Sequence, residues 1–144
     1  MFSATREFID KLQEKNIHYT YNGYNEDQDV DILKIGYTGD NMKEISVNFF
    51  ISDSKISVRI WNICQIPDDN EKRGHMLIVI NALNQQMNYF KFVMDTDDYS
   101  IDMHYDMVAE NDVGDTCLAL LTVVVKAVDE SYPLIMKGLW MWEY

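Results

Sequence analysis

The chain has 144 residues, enough for one domain with a substantial core, and 47% of them are hydrophobic, well above the range of disordered proteins. It carries 12 Lys and Arg against 24 Asp and Glu, which gives a formal net charge of −12. A field of that sign disfavours nucleic acid and anionic membrane surfaces as partners. We therefore expect a single domain over residues 1–144 that binds neither nucleic acid nor membrane.

Cysteine usage and hydropathy predict a cytoplasmic protein. Cys64 and Cys117 are far apart and form no close-spaced motif, which is typical of reduced, buried thiols. Residues 1–16 carry charges throughout and do not resemble a signal peptide. The longest apolar run, Leu118–Val125, is interrupted by Thr122 and is too short to span a bilayer.

The first half of the chain predicts a helix followed by a meander of strands. Ser3 is placed to cap a helix that runs to about Asn16. Residues 17–24 alternate weakly and form a short strand or a loop. Turn compositions at 39–41 and 52–54 then join three alternating strands. Their apolar faces comprise Leu33, Ile35 and Tyr37, then Ile45, Val47, Phe49 and Ile51, then Ile56, Val58 and Ile60.

A second helix and a hairpin follow. Asp68 and Glu71 have the spacing of a capping box. The apolar positions of this helix recur at helical spacing: Met76, Val79, Ile80, Leu83 and Met87. Asn84 borders that stripe, where its amide either binds a strand or loop or is solvated. Beyond Asn88 the apolar residues recur at every second position, which predicts two antiparallel strands around the acidic turn at 95–98.

The last segment is read most simply as a helix. The β-branched run at 122–125 also allows a strand, but the length of the segment favours a helix. Pro133 predicts a kink or a fresh start near Ser131. The aromatic tail at 139–144 is expected to dock on the domain.

These elements predict an α+β fold in the order α-β-β-β-α-β-β-α. Its antiparallel sheet has five or six strands, and helices cover one face. The shared period of two places four side chains on the helix-covered face: Phe49, Val58, Phe92 and Met103.

No motif in the chain indicates catalysis. It has neither a glycine-rich phosphate loop nor a serine nucleophile elbow. Asp102, His104 and Asp106 share one strand face, but alternate residues lie about 6.6–7 Å apart and cannot close around an ion without ligands from elsewhere. The turn at 95–98 resembles the start of a calcium loop, but Ser100 stands where that loop needs glycine. We predict a non-catalytic domain with no metal and no other cofactor.

Several residues predict an interaction surface on the opposite face of the sheet. Phe50, Trp61 and Val93 fall on that face beside Arg59 and Lys91, and aromatic residues with arginine are typical of interface cores. We expect a protein or peptide partner there. The alternative is that the aromatic C-terminal tail folds back over Trp61.

Four segments together resemble the YbjN-type bacterial proteins, a family labelled as sensory transduction regulators, whose fold is similar to the class I chaperones of type III secretion. These segments are Ile80-Asn81-Ala82-Leu83-Asn84, Tyr89-Phe90-Lys91-Phe92, the acidic turn at 95–98, and Tyr132-Pro133. The resemblance implies a small, acidic, non-catalytic domain, often dimeric, with chaperone-like or regulatory roles. Neither the aromatic tail nor the tyrosine-rich stretch at 19–24 matches the family pattern.

Two functional interpretations follow. The first is an interaction module that acts through a sheet or helix surface and forms a homodimer. The alternative is a small-molecule sensor with a pocket between the helices and the sheet.

Overall fold

The computed structural model describes residues 1–140, which form three helices and a six-stranded antiparallel sheet. The elements are α1 (Ser3–Glu14), β1 (Thr20–Asn25), β2 (Val30–Tyr37), β3 (Ile45–Ile51), β4 (Lys55–Gln65), α2 (Asn70–Gln85), β5 (Lys91–Met94), β6 (Ser100–Val108) and α3 (Val113–Trp140). The strand order is β1-β2-β3-β4-β6-β5. The expected α+β class is confirmed, and β1 is the additional strand in the order α-β-β-β-β-α-β-β-α.

One face of the sheet carries the hydrophobic core. Phe49, Val58, Phe92 and Met103 are all buried, and the strand register places them on the same face. The helices pack on this face, where Phe8 of α1 meets Phe49 at 4.7 Å between ring centroids. The predicted direction of these four side chains is confirmed.

The cap of α1 differs from the expectation. Phe2, and not Ser3, occupies the N-cap position, and it makes no side-chain cap. Asp53 instead accepts hydrogen bonds from the amide of Ala4 and from the Ser3 hydroxyl, each at 3.1 Å. Asp31 accepts one from the amide of Phe2 at 2.7 Å. Carboxylates from β2 and from the turn between β3 and β4 thus satisfy the exposed amides at the helix start, so a local cap is not needed.

The cap of α2 lies one residue later than predicted. Asp69, not Asp68, is the N-cap, and its carboxylate accepts from the amides of Glu71 and Lys72 at 2.9 and 3.2 Å. Both aspartates have short polar side chains suited to a cap, and backbone geometry selects the one with extended dihedrals.

Asn84 joins α2 to the edge of the sheet. Its Nδ2 donates to the carbonyl of Phe92 at 2.9 Å, and its Oδ1 accepts from the amide of Phe92 at 2.8 Å. The side-chain amide therefore occupies the place of a neighbouring strand at the edge of β5, which blocks further strand pairing there. Of the two alternatives that the sequence leaves open for Asn84, the structure shows the tie to a strand.

The last element is one continuous helix. α3 extends over 28 residues with Pro133 inside it, so neither the strand alternative nor a fresh start at Ser131 is correct. Burial of one face outweighs the weak helix propensity of the β-branched run; that face includes Cys117, Leu121, Val124, Val128 and Ile135. Within residues 1–140, none of the helices combines the length and the hydropathy that crossing a membrane requires. The predicted docking of the tail concerns residues 139–144, of which 141–144 lie outside the described residues. Of the other two, Leu139 is buried, whereas Trp140 is 65% exposed.

Candidate interaction surface on the open face of the sheet

The second face of the sheet, which we call the open face, carries a row of polar side chains across all six strands. Residues directly opposite one another in antiparallel strands point to the same face. The register links Thr20, Lys34, Asn48, Arg59, His104 and Lys91 in that order. Phe50 lies one position beyond this row, opposite Ser57, as the alternation predicted.

Two aromatic side chains meet on the open face. The rings of Phe50 and Trp61 contact edge to face, with centroids 5.7 Å apart and planes at 64°. They flank the opposed pair Asn48 and Arg59, and Asn48 is only 8% exposed although it lies on this face. Trp61 is 51% exposed. The two rings therefore form a fixed apolar platform that leaves half of the tryptophan open to solvent.

Arg59, which the two aromatic residues flank, is held in place by hydrogen bonds. Its Nη1 donates to the carbonyls of Val58 and Tyr105 at 2.9 and 3.2 Å, and its Nη2 donates to both oxygens of Asp106 at 3.0 and 3.2 Å. Burial raises the pKa of Asp106, but hydrogen bonding from Ser57 and the charge of Arg59 outweigh it and keep the pKa below its usual value. The arginine thus connects β4 to β6.

Trp61 lies at the start of a bulge in β4. The register of β4 shifts between Ile60 and Cys64, and Asn62 has a left-handed φ of 53°. A bulge bends its strand and changes the direction of nearby side chains. The sequence alternation predicted the outward direction of Trp61, but no residue in this stretch indicated the bulge.

A buried carboxylate stabilises the bulge. Asp102 is 4% exposed, and it accepts a hydrogen bond from the amide of Asn62 at 2.8 Å and another from the Ser100 hydroxyl at 3.1 Å. Without this acceptor the amide of the left-handed residue would lose its partner. Asp102 thus positions the backbone that presents Trp61.

The aromatic platform borders a groove of about 550 Å³. Its described lining comes from strands and turns, with no helix residue among them: Gln28, Asp29, Val30, Phe50, Ser52, Ser54, Lys55, Ser57, Arg59 and Trp61. The groove follows β4 from Lys55 to Trp61, a length of about 20 Å at roughly 3.3 Å per residue. An extended peptide segment of about six residues matches that length.

The other two predicted surface residues lie apart from the platform. Lys91 and Val93 belong to β5, which is separated from β4 by β6. The Lys91 ammonium donates to the carbonyls of Asn84 and Met87 at 3.0 and 2.9 Å, at the C-terminal end of α2. The structure therefore brings Phe50, Arg59 and Trp61 together and places Lys91 and Val93 two strands away.

The Asp102, His104 and Asp106 side chains do not converge on a common point. Asp102 binds the bulge, and Asp106 binds Arg59. Burial and the nearby Arg59 charge lower the pKa of His104, which favours the neutral imidazole. Among the residues that the structure describes, no group of three His, Cys, Asp or Glu side chains is placed to hold a metal ion.

Both thiols are buried, and their apolar surroundings disfavour the thiolate form. Burial raises the pKa of Cys64 to about 11 and that of Cys117 to about 12. At neutral pH both remain protonated, and the thiolate is the nucleophilic form. Neither cysteine is therefore suited to covalent catalysis.

The layer between the helices and the sheet is filled with side chains. Leu12, Phe49, Met103, Leu121 and Val124 are all fully buried there. A groove between α1 and α3 is smaller, about 280 Å³, and its lining is mostly charged. Another groove, about 450 Å³, lies between α3 and the segment that follows β2. The sensor interpretation stays a prediction.

Comparison of the chain with protein-family models, with curated proteins and with solved structures finds no match.

Proposed function

We propose that this protein is a non-catalytic, cytoplasmic interaction module, chaperone-like or regulatory in role, which binds a protein or peptide segment on its open face. The observation that carries this proposal is the Phe50–Trp61 platform at the end of the groove. Burial of a large apolar side chain contributes about 1.5–3 kcal/mol, and Trp61 forgoes about half of that while it is exposed. A partner that covers the platform recovers this free energy.

The rigidity of the site supports the same proposal. Four hydrogen bonds hold the Arg59 guanidinium, and the bulge fixes the backbone beside Trp61. A surface whose side chains are ordered before binding loses less conformational entropy when a partner docks. Tryptophan and arginine are also common among the residues that dominate binding energy at interfaces.

Self-association is the second part of the proposal. Leu77 and Ile78 are neighbours on α2, and both are exposed. Exposed apolar neighbours on a helix suit a dimer interface in which the same patch meets itself across a two-fold axis. Sedimentation velocity on the native protein and on Ile78→Glu tests this: a dimer that the substitution dissociates supports it. Thr116→Glu, at an exposed position of α3, is the control, and a native monomer at all concentrations contradicts the dimer.

The resemblance to the YbjN-type proteins belongs to the same proposal. It rests in part on the segment that ends in Asn84, whose side-chain amide connects α2 to β5. The non-catalytic character that this resemblance implies agrees with the protonated state of both thiols.

In the experiment, peptides that bind the immobilised native protein are selected from a random library. The affinity of the recovered peptides is then measured for the native protein and for each variant. We expect Trp61→Ala to weaken their binding at least about tenfold, because the platform is lost. Tyr89→Ala is the matched control, since Tyr89 is also an exposed aromatic residue but lies outside the groove. Peptides that bind Trp61→Ala as well as the native protein, or a library that yields no binder, would overturn the proposal.

A further inference from the structure

The open face reverses the charge balance of the chain. In the whole sequence the carboxylates outnumber Lys and Arg by 24 to 12. Among the outward-facing strand positions the cations outnumber the carboxylates by two to one, and these residues are Lys34, Lys55, Arg59 and Lys91 against Asp102 and Asp106. A surface of one sign on a protein of the other sign attracts partners selectively.

The two carboxylates of this face are already engaged. Asp102 is buried and binds the bulge, while Asp106 binds the Arg59 guanidinium. Lys34 and Lys55 are both exposed, and neither forms an ion pair with any residue that the structure describes. These two ammonium groups are therefore available to a partner.

Lys55 places one of these charges at the groove itself. Lys55 and Arg59 line the groove on its β4 side, whereas Asp29 contributes a carboxylate from the turn before β2. The Tyr24 hydroxyl donates to that Asp29 carboxylate at 2.5 Å. The groove lining thus holds two cations, Lys55 and Arg59, against the carboxylate of Asp29. Because Arg59 is already paired with Asp106, Lys55 is the cation left for a partner beside the aromatic platform.

This charge pattern argues against a second copy as the occupant. In a two-fold dimer built from this face, each partner would present the same excess of cations to the other. Like charges brought together in an interface cost binding free energy. The occupant that complements the face carries negative charge.

We propose that the groove binds an extended acidic segment of a partner protein, in which carboxylates flank a bulky apolar side chain. This inference rests on the proposed function and names the chemistry of its partner. The apolar side chain packs on Phe50 and Trp61, and a carboxylate on the segment pairs with the Lys55 ammonium. Lys34, two strands from Lys55 on the same face, attracts further negative charge during association.

The test uses three pools of synthetic peptides that share a central Leu, Phe or Trp. The flanking positions hold Asp, Glu and Ser in the first pool, Asn, Gln and Ser in the second, and Lys, Arg and Ser in the third. Binding to the full chain is measured by fluorescence anisotropy. We expect the acidic pool to bind most tightly and its affinity to fall steeply with added salt, because the attraction is electrostatic.

Variants separate this inference from the proposed function. Lys55→Glu is expected to weaken the acidic pool at least about fivefold, while Lys126→Glu, at an exposed position of α3, leaves it unchanged. If the neutral pool binds as tightly as the acidic pool and Trp61→Ala weakens both, the proposed function stands and the acidic segment is overturned. Tightest binding of the basic pool also overturns it. If no pool shows a dependence on Trp61, both proposals fall.

Discussion

Phe49 and Phe50 are neighbours in β3, and they show how differently the two faces of the sheet are built. Phe49 is fully buried and packs against Phe8 of α1. Phe50 points the other way, is only partly buried, and meets the exposed Trp61 edge to face. Two identical side chains thus have different roles, because the helices cover one face only. One stabilises the fold, and the other is available to a partner.

The two faces also treat charge differently. The helix-covered face includes the carboxylate of Asp31, which is fully buried. It accepts hydrogen bonds from the amide of Phe2 and from the hydroxyls of Thr5 and Tyr21, at 2.7, 2.6 and 2.9 Å. On the open face Arg59 pairs across strands with Asp106, and Lys34 and Lys55 remain in solvent. Asp102 is buried there as well, and it accepts from the amide of Asn62 and the hydroxyl of Ser100. A buried charge is tolerated only where several donors surround it.

The largest effect is expected from truncation on the covered face. Phe49→Ala removes a fully buried ring and leaves a cavity against α1, which should lower the free energy of unfolding by about 3–5 kcal/mol. Phe50→Ala, one residue away, should cost less than about 1.5 kcal/mol because its ring is partly exposed. Urea denaturation of both variants measures the difference. Equal losses would show that the two rings contribute alike to the fold.

The next effect concerns the buried carboxylate of the covered face. Burial raises the pKa of Asp31, but the hydrogen bonds from Thr5, Phe2 and Tyr21 outweigh it and hold the pKa below the usual value. The stability that this shift contributes is therefore present above the unfolded pKa of about 3.9 and is lost as the pH falls through the lower folded value. We expect Asp31→Asn to be destabilised by about 2–3 kcal/mol at pH 7. The three donors would then face a neutral side-chain amide, which has one accepting oxygen in place of the two of the carboxylate.

Denaturation curves of the native protein and of Asp31→Asn, measured from pH 7 to pH 3, test the direction of this pH dependence. The difference in unfolding free energy should stay constant down to about pH 5 and shrink below about pH 4. Other carboxylates titrate in both proteins, so the difference isolates Asp31. A difference that widens in acid would contradict a lowered pKa for this carboxyl group.

A smaller effect is expected from the carboxylate that supports the bulge. Asp102→Ala leaves the Asn62 amide without its acceptor and should cost about 1–3 kcal/mol of stability. It should also change the surroundings of Trp61, which lies in the bulge between Ile60 and Cys64. Fluorescence emission, measured in a chain whose other tryptophans are replaced by phenylalanine, reports that change. Asp97→Ala, at an exposed position of the turn before β6, is the control, and an identical emission shift in both variants would refute a specific role for Asp102.

The smallest effect on stability is expected on the open face. Trp61→Ala removes a ring that is half exposed, and we expect a change in unfolding free energy below about 1 kcal/mol. Thermal melts of the native protein and this variant should therefore nearly coincide. A melting point lower by several degrees, together with unchanged partner binding and association, would assign the ring to the fold and not to an interface.

The sequence by itself determined which face each side chain takes. A period of two in the strands separates Phe49 from Phe50 and sends Trp61 outward, because successive strand residues point to opposite sides. The short turn between β3 and β4 fixes the pairing of Phe50 with Ser57. The helical pattern also placed Asn84 at the border of an apolar stripe, where a polar side chain either finds a partner or is solvated. These features depend on neighbours in the chain, so a local pattern reveals them.

Only the tertiary structure decided which distant groups satisfy the backbone. The Asn62 amide finds Asp102, 40 residues away, and Asp129 of α3 accepts from the amides of Asn41 and Met42, 88 and 87 residues away. The start of α1 is likewise satisfied by aspartates from β2 and from the turn between β3 and β4. Each contact depends on the order of strands and the docking of helices, which burial of the whole core selects. No local pattern carries that information, because the donor and acceptor meet only after the chain has folded.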